Sequence, residues 1–440
     1  MKNRIISIVC VLLLLLSVSA VFAGCENFEP NGIRTAGIND NGELVLYYTD
    51  GTKQNLGTVV GTDGKDGVNG QDGSVLIDSA PDAIALAAAK GLRSSVSIVC
   101  KFQATVYQGG WFPGYGNTTT KEYTSAGSGV IYQLDRAAGD AFIITNYHVV
   151  YDSSSNTENG ISQDISVFLY GSEMEAKAIK ATYVGGSLYY DIAVLRIEDS
   201  EVLSASDACQ VEIYDSDKVV VGTSALAIGN AQGYGISASL GIVSVDSEYI
   251  SMTSADGKTE VSFRVLRVDT AVNSGNSGGG LYDGKGNLIG IVNAKIVDDG
   301  VENIGYAIPS NVAVSIADNI IDYCYGTENE RVQRAMLGIT VSTADARAVY
   351  DAQTGLLSVQ ETVSVHEVSK GSLADGVLQS GDVLISATIN GQTAAITRQY
   401  HIIDMMLDVR VGDTVSFRIL RDGQDVSAEL TITEDCLTEY

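Results

Sequence analysis

The sequence predicts a mainly β protein built from more than one domain. The chain has 440 residues, which exceeds the size of one ordinary hydrophobic core. Gly is abundant with 47 residues and Pro is scarce with 4. Val, Ile, Thr and Tyr recur in short runs between Gly, Asn and Asp turn signals. This balance favours strands and turns over long helices.

Residues 95–308 contain many short apolar runs without helical segments between them, which is typical of antiparallel sandwiches or barrels. The predicted strands are Val96–Phe102, Ala141–Thr145, Ile192–Ile197, Ala225–Ile228, Gly241–Val245, Val261–Val268 and Leu288–Val292. A helix follows, with Ser310 predicted as its N-cap. Gly326 and the charged stretch after it predict a linker, and the remainder suits one further small domain with a helix over residues 399–407.

The first residues predict export. Two basic residues precede an apolar run from Ile5 through Leu16, which is a signal-peptide layout and too short for a membrane span. Residues 22–25, Phe-Ala-Gly-Cys, resemble a bacterial lipobox, which would leave Cys25 as the lipidated first residue of the mature chain. Residues 21–23 also suit ordinary signal peptidase, which would release a secreted protein.

The predicted leader covers residues 1–24, and two small segments follow it. Residues 25–60 predict a small β module, because a strand-like run from Leu44 to Thr49 lies between two turn signals. Residues 61–80 carry a glycine at every third position from Gly61 to Gly73. Four triplets without proline are too few for a collagen triple helix, so we expect a hydrophilic spacer.

Composition excludes several classes of partner. The net charge is −27, and without a basic cluster the chain lacks what a nucleic-acid-binding surface requires. No His/Cys cluster with metal-ligand spacing occurs, so no metal or other cofactor is predicted. Four cysteines are widely spaced, and both buried thiols and disulfides stay open for them: Cys100, Cys209, Cys324 and Cys436.

Three segments each supply one member of a nucleophilic constellation. His148 ends a predicted strand and is one of three histidines in the chain. Asp191 opens an apolar strand, where a buried carboxylate can orient an imidazole. Each of these two residues alone is also compatible with a structural or turn role.

The third segment places Ser277 among glycines, in Asn-Ser-Gly-Asn-Ser-Gly-Gly-Gly at residues 273–280. A serine nucleophile needs an adjacent base and backbone donors for the developing oxyanion. Gly275 lets the backbone turn, so that the amides of Gly275 and Ser277 point into one small cavity. No Gly-Lys-Ser/Thr follows, which excludes a phosphate-binding loop. The order His, Asp, Ser is that of the chymotrypsin class.

Five motifs in this order resemble those of the HtrA/DegP serine proteases over residues 95–330. They are Thr145–Val150, Asp191–Leu195, Ala227–Asn230, Gly275–Gly279 and Tyr306–Asn311. The resemblance implies a chymotrypsin-like pair of six-stranded β-barrels, over residues 81–326, with the active site in the cleft between them. It also implies that His148, Asp191 and Ser277 form the catalytic triad, and that Gly275 and Ser277 supply the oxyanion hole. Ser274 and Gly280 stand where family members often carry Pro.

The same fold implies a primary specificity pocket that is small and apolar. Ala271, six residues before the serine, would lie at its base beside Val272. The expected wall consists of Ile291, Val292, Asn293 and Ala294. These residues predict cleavage after Val, Ala or similar residues.

Residues 327–440 resemble a small α+β PDZ domain. The resemblance begins with a carboxylate-binding loop made of Met336, Leu337, Gly338 and Ile339. Such a domain binds the C-terminus of an extended peptide by strand addition. The helix near Tyr400 and His401 would form the other side of the groove, and His366 and His401 are expected as ordinary surface histidines.

The leading hypothesis is an ATP-independent serine endopeptidase that degrades unfolded or damaged extracytoplasmic proteins while anchored to a bacterial membrane. One alternative is a non-catalytic chaperone or peptide-binding scaffold with a resting or inactive protease domain. Another is a surface adhesion protein built on the spacer. Family members are commonly trimers, which implies a homo-oligomer with contacts from Ile84–Val96.

Overall fold

The computed structural model describes residues 32–58, 80–108, 117–157, 159–172, 177–294, 303–327, 329 and 332–439. The predicted leader, Cys25 and the spacer up to residue 79 lie outside these residues. By internal contacts the chain forms two units, Met1–Leu76 and Ile77–Tyr440. None of the described helices has the length and apolar character needed to cross a membrane.

In the first unit the described residues form a three-stranded antiparallel sheet in the order β1-β2-β3. The strands are β1 (Ile33–Ile38), β2 (Glu43–Tyr48) and β3 (Lys53–Thr58). Gly42 and Gly51 occupy the two turns with positive φ, as the turn signals predicted. The predicted run from Leu44 to Thr49 thus forms β2, shifted by one residue.

The second unit begins with α1 (Ala80–Ser94) and a closed six-stranded barrel in the order β4-β5-β6-β9-β8-β7. Its core contains β-branched and leucine side chains such as Ile98, Ile143 and Leu195, none of which is exposed. Two one-turn helices interrupt the strands, α2 (Tyr147–Val150) and α3 (Glu201–Ser204). The strands are β4 (Ser95–Gln108), β5 (Asn117–Asp135), β6 (Asp140–Thr145), β7 (Asp164–Leu169), β8 (Ile179–Ser187) and β9 (Ile192–Ile197).

A second closed barrel follows in the order β10-β11-β12-β15-β14-β13. All seven predicted strands fall within strands of these two barrels, and the prediction of a mainly β, chymotrypsin-like double barrel is confirmed. The strands are β10 (Ser224–Gly229), β11 (Ser237–Thr253), β12 (Glu260–Val268), β13 (Gly280–Tyr282), β14 (Leu288–Val292) and β15 (Gly305–Pro309).

Two helices pack on the barrels. Helix α1 turns Ala87 and Gly91 inward, and a Cβ at Gly91 would lie 2.6 Å from Ile228 Cδ1 of the second barrel. Helix α4 (Ser310–Cys324) begins at Ser310, and its N-cap is Pro309. The predicted N-cap was therefore one residue late, because Ser310 Oγ donates to the carbonyl of Tyr214 at 2.7 Å rather than capping its own helix.

Residues 332–439, called the C-terminal module below, form a sheet in the order β17-β18-β19-β21-β22, with β20 paired to β19 and a separate β16-β23 pair. Helix α5 (Tyr400–Asp408) covers the sheet with Ile402 and Met406, while Leu407 joins the core of the barrels. The strands are β16 (Gln333–Ala335), β17 (Ile339–Tyr350), β18 (Leu357–Val368), β19 (Val383–Ile389), β20 (Gln392–Ala395), β21 (Thr414–Arg421), β22 (Gln424–Thr431) and β23 (Leu437–Glu439).

The four cysteines in the described residues are free thiols. Cys100 and Cys324 are buried, while Cys209 and Cys436 are partly exposed. Burial raises the pKa of the Cys100 thiol to about 12. The structure therefore favours the prediction of small buried hydrophobes for Cys100 and Cys324.

Candidate active site

Asp191 is held rigidly at the start of β9. It is 3% exposed and adopts φ of +55°, a conformation that non-glycine residues seldom adopt except Asn and Asp. Its Oδ1 accepts the backbone N–H of His148 at 2.9 Å, and its Oδ2 lies 2.6 Å from His148 Nδ1. Its backbone carbonyl accepts the side-chain amide of Asn146 at 2.8 Å. Side chain and backbone are thus both fixed toward His148.

His148 lies on the short helix α2, anchored by two buried valines. Val149 packs so closely under β5 that a Cβ at Gly127 would lie 2.5 Å from its Cγ1. The His148 side chain is 20% exposed. With Asp191 ionised, Nδ1–H is the donor in the His–Asp bond, which leaves Nε2 as the acceptor. That tautomer is the one a general base requires.

Ser277 lies in a glycine turn between the barrels. Gly275 and Gly278 have φ of +93° and +82°, and a Cβ at Gly278 would lie 2.3 Å from the carbonyl oxygen of Ser128. Ser277 Oγ accepts the backbone N–H of Ala294 at 3.3 Å. Among the described residues, no hydrogen bond joins Ser277 Oγ to His148 Nε2. Such bonds are often long before substrate binds.

The glycine turn is clamped from both sides. Ser128 Oγ donates to the carbonyl of Gly275 at 2.7 Å, and the Ser128 amide donates to the carbonyl of Ser277 at 2.8 Å. The amide of Gln232 donates to the carbonyl of Ser274 at 2.7 Å. The amides of Gly275 and Ser277 donate to no residue in the described part of the chain. Two backbone donors are therefore available for an oxygen atom of a ligand.

The predicted pocket residues occupy different environments. Ala271 is exposed and Val272 half-buried, with Val272 packed against Gly305. Ile291 and Val292 are fully buried in the cores, and Ala294 meets the serine through its amide. Asn293 is fully buried, and its side-chain amide donates to Asp191 Oδ2 at 2.8 Å. The pocket assignment stays a prediction. The bond from Asn293 to Asp191 was not part of that prediction.

In the predicted carboxylate loop, Gly338 has φ of +75°, and its carbonyl accepts the amide of Ser369 at 2.8 Å. The amides of Leu337 and Gly338 donate to no described residue. The Met336 amide donates to the carbonyl of Cys436 at 2.8 Å. The free amides lie directly before β17, an edge strand whose outer side pairs with none of the described strands.

The first turn of helix α5 faces the second barrel. The Arg264 guanidinium lies 3.8 Å from the ring centre of Tyr400 and pairs with Asp404 at 2.7 Å. Burial raises the pKa of Asp404 to about 7 despite the opposing effect of Arg264. His366 is exposed, but His401 is half-buried and burial lowers its pKa. The expectation of a surface histidine was wrong for His401, because the module packs on the barrel at that point.

Sequence reasoning missed Ser128 altogether, and it predicted Asn293 as a pocket residue without the contact to Asp191. Ser128 lies between two glycines of β5. Because glycine inside a strand often marks a close approach of another backbone, this pattern could have identified Ser128. Asn293 is 102 residues from Asp191, and nothing in the local pattern separates it from a wall residue.

A double β-barrel with an Asp–His pair on the first barrel and a serine in a glycine turn on the second is typical of trypsin-like serine peptidases. Residues 127–291 match the family model described as a trypsin-like peptidase domain. The chain is 32% identical to the serine protease Do-like HtrA of Lactococcus lactis subsp. cremoris, over 71% of this chain and 72% of the relative. The chain belongs to the HtrA family of serine proteases and is a serine endopeptidase.

Two further likenesses extend over most of the chain. The periplasmic serine endoprotease DegP of Escherichia coli (strain K12) is 29% identical over 76% of this chain and 62% of its own length. The solved HtrA-type protease AlgW with a decapeptide covers 80% of this chain and 98% of its own, at 25% identity and a TM-score of 0.48.

Proposed function

We propose that Ser277, His148 and Asp191 are the catalytic triad of this endopeptidase. The observation that carries the proposal is the 2.6 Å contact between Asp191 Oδ2 and His148 Nδ1, beside a serine turn with two free amides. His148 Nε2 removes the proton as Ser277 Oγ attacks the scissile carbonyl, and then protonates the leaving amine. Water hydrolyses the acyl-enzyme, with His148 again as the base.

The amides of Gly275 and Ser277 stabilise the oxyanion of each tetrahedral intermediate. Ser128 and Gln232 hold the carbonyls of Gly275 and Ser274, which leaves both amides available to the oxyanion. Asn293 supports Asp191 with a hydrogen bond to the same oxygen that receives His148. The pocket beside Ala271 and Val272 accepts small aliphatic side chains on the acyl side of the scissile bond.

The substrates we propose are unfolded or damaged proteins outside the cytoplasm, cleaved without ATP. A cleft between two barrels admits an extended chain, and no step above requires a nucleotide. The leader and Cys25 favour a lipoprotein anchored to the outer face of the cytoplasmic membrane, with secretion as the alternative. The periplasmic name of the DegP relative supports an extracytoplasmic site of action. A homo-oligomer, trimeric by family resemblance, is part of the same proposal.

The test compares residues 26–440 with the Ser277→Ala variant on reduced casein. We expect the variant to lose activity by about 10⁶-fold in kcat, because the nucleophile is gone while the fold is unchanged. Mass spectrometry of the products should place the cuts after Val, Ala or similar residues. Equal cleavage by both proteins would refute the triad assignment. No cleavage by either would favour the non-catalytic chaperone.

We further propose that the C-terminal module is a PDZ domain that binds peptide C-termini. The free amides of Leu337 and Gly338 and the unpaired outer edge of β17 support this, because strand addition needs an open edge and a carboxylate needs donors.

Fluorescence anisotropy on the Ser277→Ala protein measures this binding without cleavage. A labelled peptide with a hydrophobic C-terminal residue should bind at least about tenfold more tightly with a free carboxylate than with a C-terminal amide. The Gly338→Ala control should abolish the difference, since the new Cβ would lie 2.1 Å from Ser372 Cβ. Equal binding of the two peptides would contradict the assignment.

A further inference from the structure

Tyr190 anchors the backbone directly before Asp191. Its side chain is 3% exposed, and its ring packs against Phe263 and Tyr189 with centroids 6.2 and 4.9 Å away. Arg334 Nη1 donates to the Tyr190 hydroxyl oxygen at 2.6 Å. Burial raises the pKa of Tyr190, so the hydroxyl stays protonated. These contacts hold the side chain of the residue that directly precedes Asp191.

Arg334 belongs to the C-terminal module, 144 residues further along the chain. It lies on β16, which pairs with β23 and leads directly into the loop at Met336–Ile339. The bond to Tyr190 therefore connects the residue before Asp191 to the strand before the predicted carboxylate loop.

The bond lies in a cluster of polar side chains between the second barrel and the module. Next to Phe263, Arg264 has a side chain that is 1% exposed and bonds Asp217, in the turn before β10, as well as Asp404 of helix α5. A cavity of about 110 Å³ between barrel and module is lined by Phe263, Arg264 and Asp404 together with Tyr190 and Arg334. In such a polar cluster the contribution of a single bond is apportioned by a double-mutant cycle rather than by one deletion.

We propose that Arg334 is a positioning residue for Asp191, acting through the Tyr190 hydroxyl. Asp191 adopts the left-handed backbone conformation, which Asp tolerates better than most residues but which still costs energy relative to extended backbone. Its carboxylate is held by His148 and Asn293, and the Arg334–Tyr190 bond holds the preceding backbone from the module side. Efficient catalysis therefore requires the C-terminal module to be docked. This inference rests on the proposed catalytic role of Asp191.

A double-mutant cycle tests the inference on the chain without its predicted signal peptide. Tyr190→Phe removes only the hydroxyl, and Arg334→Met removes the donor while keeping a long side chain. We expect each to lower kcat by about 10- to 100-fold with little change in KM, because a small misplacement of a catalytic group has that cost. The double variant should be no slower than either single variant, since all three lose the same bond. Arg334→Lys, which keeps a cationic donor, should recover part of the rate.

Arg410→Met is the matched control. Arg410 also crosses from the module to the barrels, donating to Asp322 of α4 at 3.0 Å, but neither partner contacts the triad segments. Its kcat should stay unchanged. An unchanged kcat in Tyr190→Phe, multiplicative losses in the double variant, or an equal loss in Arg410→Met would each overturn the inference. Failure of the triad itself is separate, since it would show as full activity in Ser277→Ala.

Discussion

The two halves of the active site are held in different ways. On the Asp–His half, side-chain donors converge on Asp191: its carboxylate accepts His148 and, from the second barrel, Asn293, and its backbone carbonyl accepts Asn146. On the serine half, the hydrogen bonds from Ser128 and Gln232 reach only backbone carbonyls of the turn. Ser277 Oγ itself contacts the amide of Ala294 rather than His148.

This difference shows where the site is preorganised. A carboxylate with three side-chain and backbone donors cannot rotate without losing bonds in a nearly dry environment, so the Asp–His half stays oriented without substrate. A glycine turn held by a few carbonyl contacts can rotate a peptide plane at lower cost, since glycine tolerates both signs of φ. Substrate therefore has more to organise on the serine half.

Breaking the rigid half should have the largest effect. Asp191→Asn removes the negative charge and reverses the hydrogen-bonding role at His148 Nδ1, which favours the wrong tautomer. We expect kcat to fall by about 10⁴-fold with the fold intact. The loss of activity is measured by casein cleavage and by the rate at which a fluorophosphonate labels Ser277. A loss of less than tenfold would mean that Asp191 does not orient the base.

Loosening the serine half should have a smaller effect. Ser128→Ala removes the donor to the Gly275 carbonyl and leaves the triad untouched. We expect kcat to fall by about 10- to 100-fold, below the loss from removing an oxyanion donor itself, while KM changes little. Steady-state kinetics on a peptide substrate checks this.

Ser162→Ala is the control for lost stability, because its buried hydroxyl donates to the carbonyl of Lys101 in the first barrel, away from the turn. If both serine variants slow catalysis equally, Ser128 has no special role in the turn.

The sequence predicted what depends on local pattern. Apolar runs predicted the barrel strands, and the motifs around His148, Asp191 and Ser277 predicted three residues whose segments the fold brings to one cleft. The contacts of Ser128, Asn293 and Arg334 could not be predicted, because each joins residues more than 100 positions apart that only the packed domains bring together. His401 was misjudged for the same reason, since its burial depends on module packing.

The pairing of β16 with β23 gives the strand Leu437–Glu439 an importance beyond its three residues. This strand pairs with β16, and Thr438 lies opposite Arg334 in that pairing. Deleting these residues would leave β16 without its partner strand and would release Arg334, which bonds the Tyr190 hydroxyl. If Arg334 has the positioning role proposed for it, loss of this strand would lower kcat while every catalytic side chain remained intact.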